Sequence, residues 1–277
     1  MDLNIGDRMI YNMKVKVLNI VTSGLKREGI TSTQIEYMKK LDKTDIQIDI
    51  AAVHNNEHDV IQEFEKIGCK VIIFPDRRNS LLKYIFALYS TIRKEKYDIV
   101  HVHGSSGLMS IELVIAMLAG VKVRIAHSRN TNCEHKRVDK ILRPIFNHSY
   151  TVAFACGQDA GKWMFGNKKY TVIHNGKDLE KFKFNKTKRE FIRKQFDIES
   201  KFAIGFVGNI NHIKNLSFLV DVFYKFHSLR PNSVLFIMGE GADREKIETK
   251  VRDFGLEKSV IFTGRIANVS EMLQAMD

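Results

Sequence analysis

Two hydrophobic periods share this chain. Apolar runs at residues 15–21, 46–53, 70–74, 99–102, 122–126, 151–155 and 171–173 read as strands. Several stay apolar over four or more residues, as parallel strands covered on both faces require. Between them, residues 32–41, 59–67, 81–94 and 110–118 place apolar side chains at helical spacing. Strand and helix therefore alternate, which predicts an α/β fold with a doubly wound parallel sheet. The alternation starts afresh at Phe202, with strand 202–208, helix 216–229, strand 233–238, helix 244–254, strand 259–262 and the opening of a helix at Val269.

The polar, basic segment 178–200 separates the two series, and its 191–196 portion reads as a helix packed on one domain. The predicted organisation is a first Rossmann-like domain over 1–182, a linker and helix over 183–200, and a partial second Rossmann-like domain over 201–277. At 277 residues, 44% hydrophobic and 27% charged, the composition is globular. No apolar run approaches the roughly 20 residues of a membrane helix. The amino-terminal stretch MDLNIGDRMIYNMKVKV lacks a signal peptide's apolar core and cleavage site. Three scattered cysteines, Cys69, Cys133 and Cys156, suit a reducing cytoplasm better than a disulfide framework or a zinc site.

A net charge of +12 changes the range of partners to consider. Its densest stretch is KDLEKFKFNKTKREFIRK, residues 177–194. That stretch reads first as a solvated linker and helix face, and second as a patch for anionic lipid headgroups. Nucleic acid is not expected, since no stacking-aromatic or DNA-binding signature accompanies the charge.

Candidate chemistry collects at the carboxyl ends of the predicted strands, where α/β sheets bind ligands. TSGLKREGITS brackets a turn with Gly24 and Gly29, which would let backbone approach an anion. In DIVHVHGSSG, His101 and His103 share one side of a strand. Two metal ligands could arise so, but no third partner stands at a suggestive spacing, and no metal is expected. One histidine should lie inside and the other at the strand end. RIAHSRNTN carries His127, Ser128, Arg129 and Asn130, either a sugar- or phosphate-binding corner or a loop capping the next helix. Asp159 and Trp163 mark a helix start, with Trp163 read as packing, and Asn175-Gly176 is a turn signal.

Phosphate binding is best argued at 208–215. Gly208 turns the chain with exposed amides, a helix N-terminus follows, and Lys214 adds a full charge. No Walker loop is present. MGEGAD supplies a second turn, with Gly239 and Gly241, and FTGRIANVSEM a third, where Gly264, Arg265 and Ile266 could set backbone against a nucleobase.

These stretches (EGITSTQIEYMKKLDKTDIQIDI, DIVHVHGSS, AHSRNT, CGQDAGKWMFG, VIHNGKDLEKF, GFVGNINHIKN, MGEGADREKI and VIFTGRIANVSEMLQAMD) together resemble retaining glycosyltransferases of family 4. The likeness is to their capsular and exopolysaccharide branch, covers nearly the whole chain, and implies the two-domain GT-B architecture. It implies transfer of a sugar from a nucleotide sugar, UDP-linked, to a saccharide or lipid-linked saccharide, at the cytoplasmic face of the membrane. No cofactor or metal is implied. The family's phosphate-binding pair falls on Asn209 and Lys214, its active-site histidine on His127, its first loop on Gly29, and its base-reading turn on Arg265 and Ile266. His127 is expected to face the cleft between domains, near the Gly29 loop.

Three departures accompany the likeness. The family usually has arginine at the position of Asn209, and glycine at that of Glu28. Its pair of glutamates spaced eight apart, which engage the donor's sugar and ribose, would fall beyond Asp277. The expectation is a chain truncated at its carboxyl end, with reduced turnover. The alternatives are a non-catalytic remnant or nucleotide-binding module, and a GT-B nucleotide-sugar epimerase.

Overall fold

The computed structural model describes residues 14–277, so most of the amino-terminal stretch read above lies outside the described residues. Two compact units emerge, one ending at Lys177 and one spanning Asp178–Asp277.

The first unit is built on a seven-stranded sheet of order β3-β2-β1-β4-β5-β6-β7, parallel throughout. Its strands are β1 (Val15–Val21), β2 (Ile46–Ala52), β3 (Lys70–Ile73), β4 (Ile99–Gly104), β5 (Val123–Ser128), β6 (Val152–Ala155) and β7 (Thr171–Val172). The helices are α1 (Gly29–Lys40), α2 (His58–Lys66), α3 (Leu81–Glu95), α4 (Ser110–Leu118), α5 (Lys136–Ser149) and α6 (Gln158–Phe165).

Side chains of β1 divide between the two faces of the sheet, as strand geometry demands. Val15, Val17 and Val21 pack with Ile35 and Met38 of α1 and with Val60 and Phe64 of α2. Leu18 and Ile20 join Tyr84, Leu88 and Ile92 of α3, Leu113 of α4 and Phe146 of α5. This is a doubly wound, Rossmann-like sheet, and its continuously apolar strands are apolar because both faces are covered.

Two features depart from expectation. Strands β4 and β5 each run two residues past their predicted ends, so His103 lies inside its strand, and Ser128, read as following the fifth strand, is the last residue of β5. Helix α5 was not anticipated. Its sequence is strongly basic and holds Pro144 inside, which removes one helical hydrogen bond. Tertiary contact holds it instead: Asp139 accepts from the Gly107 amide at 2.6 Å, and Arg143 donates to Met164 O at 2.7 Å.

The second unit carries a three-stranded parallel sheet of order β10-β9-β8, with β8 (Phe202–Val207), β9 (Ser233–Met238) and β10 (Val260–Gly264). Its helices are α7 (Lys186–Gln195), α8 (Leu216–Leu229), α9 (Arg244–Asp253) and α10 (Val269–Met272). The central strand β9 is wholly buried, with Leu235 and Ile237 under α8 and α9. Val234, Phe236 and Met238 meet Ile192 of α7 and Met272 of α10 on the other side. Helix α7 belongs to this unit through Arg193, whose guanidinium donates to Ala275 O at 2.7 Å and Ile198 O at 2.9 Å.

Candidate active-site residues

Parallel pairing of β4 with β5 sets His103 opposite His127, and pleating puts His101 on the same side as His103. The three rings cluster, with centroids 4.0 Å apart for His101 and His103, 4.9 Å for His103 and His127, and 5.3 Å for His101 and His127. Sequence spacing could not find the third ring, because it arrives from the neighbouring strand.

Hydrogen bonding fixes the protons. Arg129 Nη1 lies 3.2 Å from His127 Nε2, and a guanidinium can only donate, so Nε2 is the acceptor. The proton of a neutral His127 then sits on Nδ1, 3.1 Å from His101 Nε2, and is donated there. Burial, with the positive neighbours, pushes His127 down to about 2 and His101 to about 3. Burial lowers His103 as well, and neither of its nitrogens finds a partner among the described residues. The trio is neutral at physiological pH, so it supplies hydrogen bonds and lone pairs rather than positive charge.

The donor atoms of the three histidines lie within 4.8 Å of one another, close enough to converge on one ion. The charged group acting on all three is the Arg129 guanidinium, which opposes a bound cation. Arg129 itself keeps one donor unspent, and that atom is buried. The residue is half-buried, its Nη2 has no acceptor among the described residues, and desolvation lowers its pKa.

Other acceptor-side candidates are less available. Ser128 is fully buried and donates to Ala160 O at 2.8 Å, a structural bond inside the domain. His103 is only 3% exposed, so it does not present itself at the strand end as expected. Asn130 is exposed and caps its own loop by accepting from the Thr131 amide at 2.8 Å. Trp163 donates to Ser105 O at 2.9 Å beneath the Arg143 guanidinium, which makes it a packing residue of the first unit.

Around the first loop, the demanding glycine is Gly24. It adopts φ +87, and a Cβ there would lie 1.9 Å from His54 O. Gly29 opens α1 with nothing within 4 Å of an added Cβ, so its space is open toward solvent. Arg27 is committed to Asp59 at 2.7 Å and Glu63 at 3.2 Å. Tyr37, to which no sequence pattern points, donates to His174 O and accepts from Gly176 N at 2.9 Å. One phenol thereby ties α1 to the Asn175-Gly176 turn.

In the second unit, three turns lie side by side at the carboxyl edge of one sheet. They follow β8 at Gly208, β9 at Gly239 and Gly241, and β10 at Gly264. The first two turns bond to each other: Gly208 N donates to Met238 O at 3.0 Å and Ile210 N to Glu240 O at 2.9 Å. A Cβ on Gly239 would sit 1.9 Å from Gly208 O, and one on Gly241 would sit 2.1 Å from Ile210 O. Close backbone approach is therefore why both are glycine.

These bonds correct one expectation. Of the amides that the 208–215 turn is expected to expose, that of Gly208 is consumed by Met238 O. The remaining anion-binding features are the first two amides of α8, which lack intrahelical partners by geometry, and Lys214 just before it; the third, Phe218 N, already donates to Asn215 O at 3.1 Å. Lys214 is exposed, as is Asn209. The Asn211 side chain accepts from Lys214 N at 3.2 Å, and Asn215 takes the left-handed conformation at φ 49 to start the helix. Gly264 turns at φ +70, leading into the exposed Arg265 and half-buried Ile266.

The profile of Glycosyltransferase Family 4 matches residues 28–181, and that of Glycosyl transferases group 1 matches residues 188–277. EpsF of Bacillus subtilis (strain 168), a glycosyltransferase by name, is 26% identical over 276 residues, which span 95% of this chain and 71% of that protein. An Escherichia coli UDP-Gal:alpha-D-GlcNAc-diphosphoundecaprenol alpha-1,3-galactosyltransferase is 27% identical over 212 residues, 71% of this chain and 54% of that protein. The crystal structure of Anabaena Alr3699/HepE in complex with UDP-glucose superposes with a TM-score of 0.79 at 17% identity, covering 95% of this chain and 72% of that one. The fold is thus the GT-B architecture, with two Rossmann-like halves.

Proposed function

Because the chain belongs to glycosyltransferase family 4, we propose that it moves a sugar from a UDP-linked donor to a lipid-linked saccharide, with retention at the anomeric carbon. The observation that carries this reading is the alignment of three glycine turns along one sheet edge, with Lys214 at the start of α8. Transfer breaks the bond from anomeric carbon to diphosphate oxygen and forms one to an acceptor hydroxyl oxygen, whose proton would pass to the departing diphosphate. Negative charge grows on the departing diphosphate. Lys214 and the N-terminus of α8 would stabilise it there, where such contacts lower a barrier most. Gly239 and Gly241 would hold the second turn tight against the first, and Arg265 and Ile266 would meet the base.

On the acceptor side, His127 is a neutral ring that holds the Arg129 guanidinium by its Nε2. Arg129, whose unspent Nη2 is itself buried, would steady the His127 ring rather than reach an acceptor oxygen in solvent. The diphospholipid acceptor named for the Escherichia coli relative supports the lipid-linked part of the reading. The reaction would extend a polysaccharide repeat at the cytoplasmic face of the membrane.

Incubating the chain with UDP-sugars and a diphospholipid saccharide tests it. Release of UDP with an elongated acceptor, whose new linkage keeps the donor's anomeric configuration by NMR, is the expected result. An epimerised nucleotide sugar formed without acceptor would overturn the reading in favour of an isomerase. Tight UDP binding without any turnover would reduce the chain to a nucleotide-binding module.

A further inference from the structure

Helices α3 and α5 both pack against α4 over one face of the first sheet. Their inward sides are spent on the core: Tyr84, Leu88 and Ile92 from α3, and Phe146 from α5. Their outward sides are unusual. Leu82 and Phe86 of α3 are 71% and 70% exposed, and Ile141 and Ile145 of α5 are 72% and 50% exposed. Leu118, at the end of α4 between them, is 67% exposed. Scattered apolar residues on a surface need no explanation, whereas several repeated at i, i+4 on neighbouring helices do.

The charge on the same surface is of one sign. Lys83, Arg93 and Lys94 on α3, and Lys136, Arg137 and Lys140 on α5, are all exposed. The carboxylates of these helices are withdrawn. Glu112 is buried against Arg77 at 3.2 Å, Asp139 is buried against Arg143, and Glu95 is held by Lys70 at 3.3 Å and Lys16 at 3.6 Å. By contrast, the cations of segment 177–194 are largely matched. Lys183 pairs with Glu180, Lys186 with Glu190, Lys188 with Glu271, and both Arg189 and Arg193 with Asp277. The basic stretch most visible in the sequence is therefore the poorer lipid-binding patch.

We propose that the outer face of α3 and α5 docks on an anionic phospholipid surface, with Leu82, Phe86, Ile141 and Ile145 entering the interface and the six cations meeting headgroup phosphates. A lipid surface offers both an apolar layer and negative charge, which this face combines. A second copy of the chain fits badly, because a two-fold contact would set six cations against six. The reading of a lipid-linked acceptor enters only through the consequence, namely that docking brings enzyme and acceptor together.

The test is sedimentation of the full chain with vesicles of phosphatidylcholine alone and of phosphatidylcholine mixed equally with phosphatidylglycerol. Binding is expected to the mixed vesicles only and to weaken with added salt. The double variant Phe86→Ser/Ile141→Ser should bind at least tenfold more weakly, as should Lys136→Glu/Arg137→Glu/Lys140→Glu. Leu229→Ser, at an 87% exposed apolar position of the second unit, should bind as the parent does. These substitutions are at exposed positions, and circular dichroism confirms folding of each. In a parallel measurement, Phe86→Trp should be quenched by bromine-labelled lipid, and Leu229→Trp should not. Equal binding of all variants, equal binding to both vesicles, or no vesicle binding would overturn the proposal. So would a parent chain that self-associates through this face and loses the association in the double variant. Sugar transfer to a water-soluble acceptor, measured on the same variants, separates a loss of docking from a loss of catalysis.

Discussion

Acidification to pH 5 should destabilise the first unit by an amount set by its buried histidines. Desolvation holds His54 at about 4, with Arg78 and Arg77 adding to the effect, and it holds His101 at about 3 and His127 at about 2. An ordinary histidine in the unfolded chain titrates near 6.5. Between that value and pH 5 the unfolded state gains protons that the folded state refuses, so stability falls as pH falls. Each ring that stays neutral costs about 2 kcal/mol at pH 5 relative to pH 7 or above. Three such rings approach about 6 kcal/mol, comparable to the whole stability of many domains, and His103, lowered by burial as well, acts in the same direction. One group works the other way: burial raises the Glu112 carboxyl, which favours the folded state as pH falls. A Glu112→Gln background removes that offset. Chemical denaturation followed at pH 7 and pH 5 measures the effect. His54→Asn should shrink the difference by about 2 kcal/mol, and His101→Asn with His127→Asn by about 4 kcal/mol. Stability that is equal at the two pH values, or greater at pH 5, would refute the assignment of these rings as buried and neutral.

Two further predictions address the second unit. Gly239→Ala would drive a methyl to 1.9 Å from Gly208 O, against backbone that cannot yield cheaply. Denaturation should show a loss of about 2–3 kcal/mol or more, and UDP affinity measured on the folded fraction should fall with it. Asn209→Arg would place a second cation beside Lys214, and should raise kcat/KM for the UDP-sugar, by a factor of about ten or more if the contact strengthens in the transition state. An unchanged kcat/KM would mean that the asparagine serves another purpose.

How much of this was legible follows from the kind of signal each part leaves. Strand β1, helix α4, strand β9 and helix α8 match the apolar pattern to the residue, because buried elements write their periodicity into the sequence. Helix α5 left no such trace. Its charged surface and internal Pro144 obscure the period, and the bond from Gly107 to Asp139 that secures it joins residues far apart in the chain. The histidine cluster was half legible: the pair on β4 shows in the spacing, and its third member depends on strand register. That the Gly208 amide is not among the turn's exposed ones was hidden for a similar reason. Glycine signals a tight turn in the sequence, but only the end of the neighbouring strand, at Met238, reveals that its N–H is already used. Tyr37 was invisible because a helix tyrosine at a half-buried position gives no hint of a bond to the distant Gly176 turn.

Everything proposed for the donor depends on the second unit holding a nucleoside diphosphate at Lys214 and the start of α8. Calorimetric titration of UDP into the parent chain, Lys214→Ala and the control Lys246→Ala decides this. Lys246 is an exposed lysine on α9 that makes no part of the proposed site. Binding should be about tenfold weaker or more for Lys214→Ala, the ~1.5–3 kcal/mol of a charged hydrogen bond, with the control unchanged. Equal UDP affinity for the parent and Lys214→Ala would contradict a diphosphate site there.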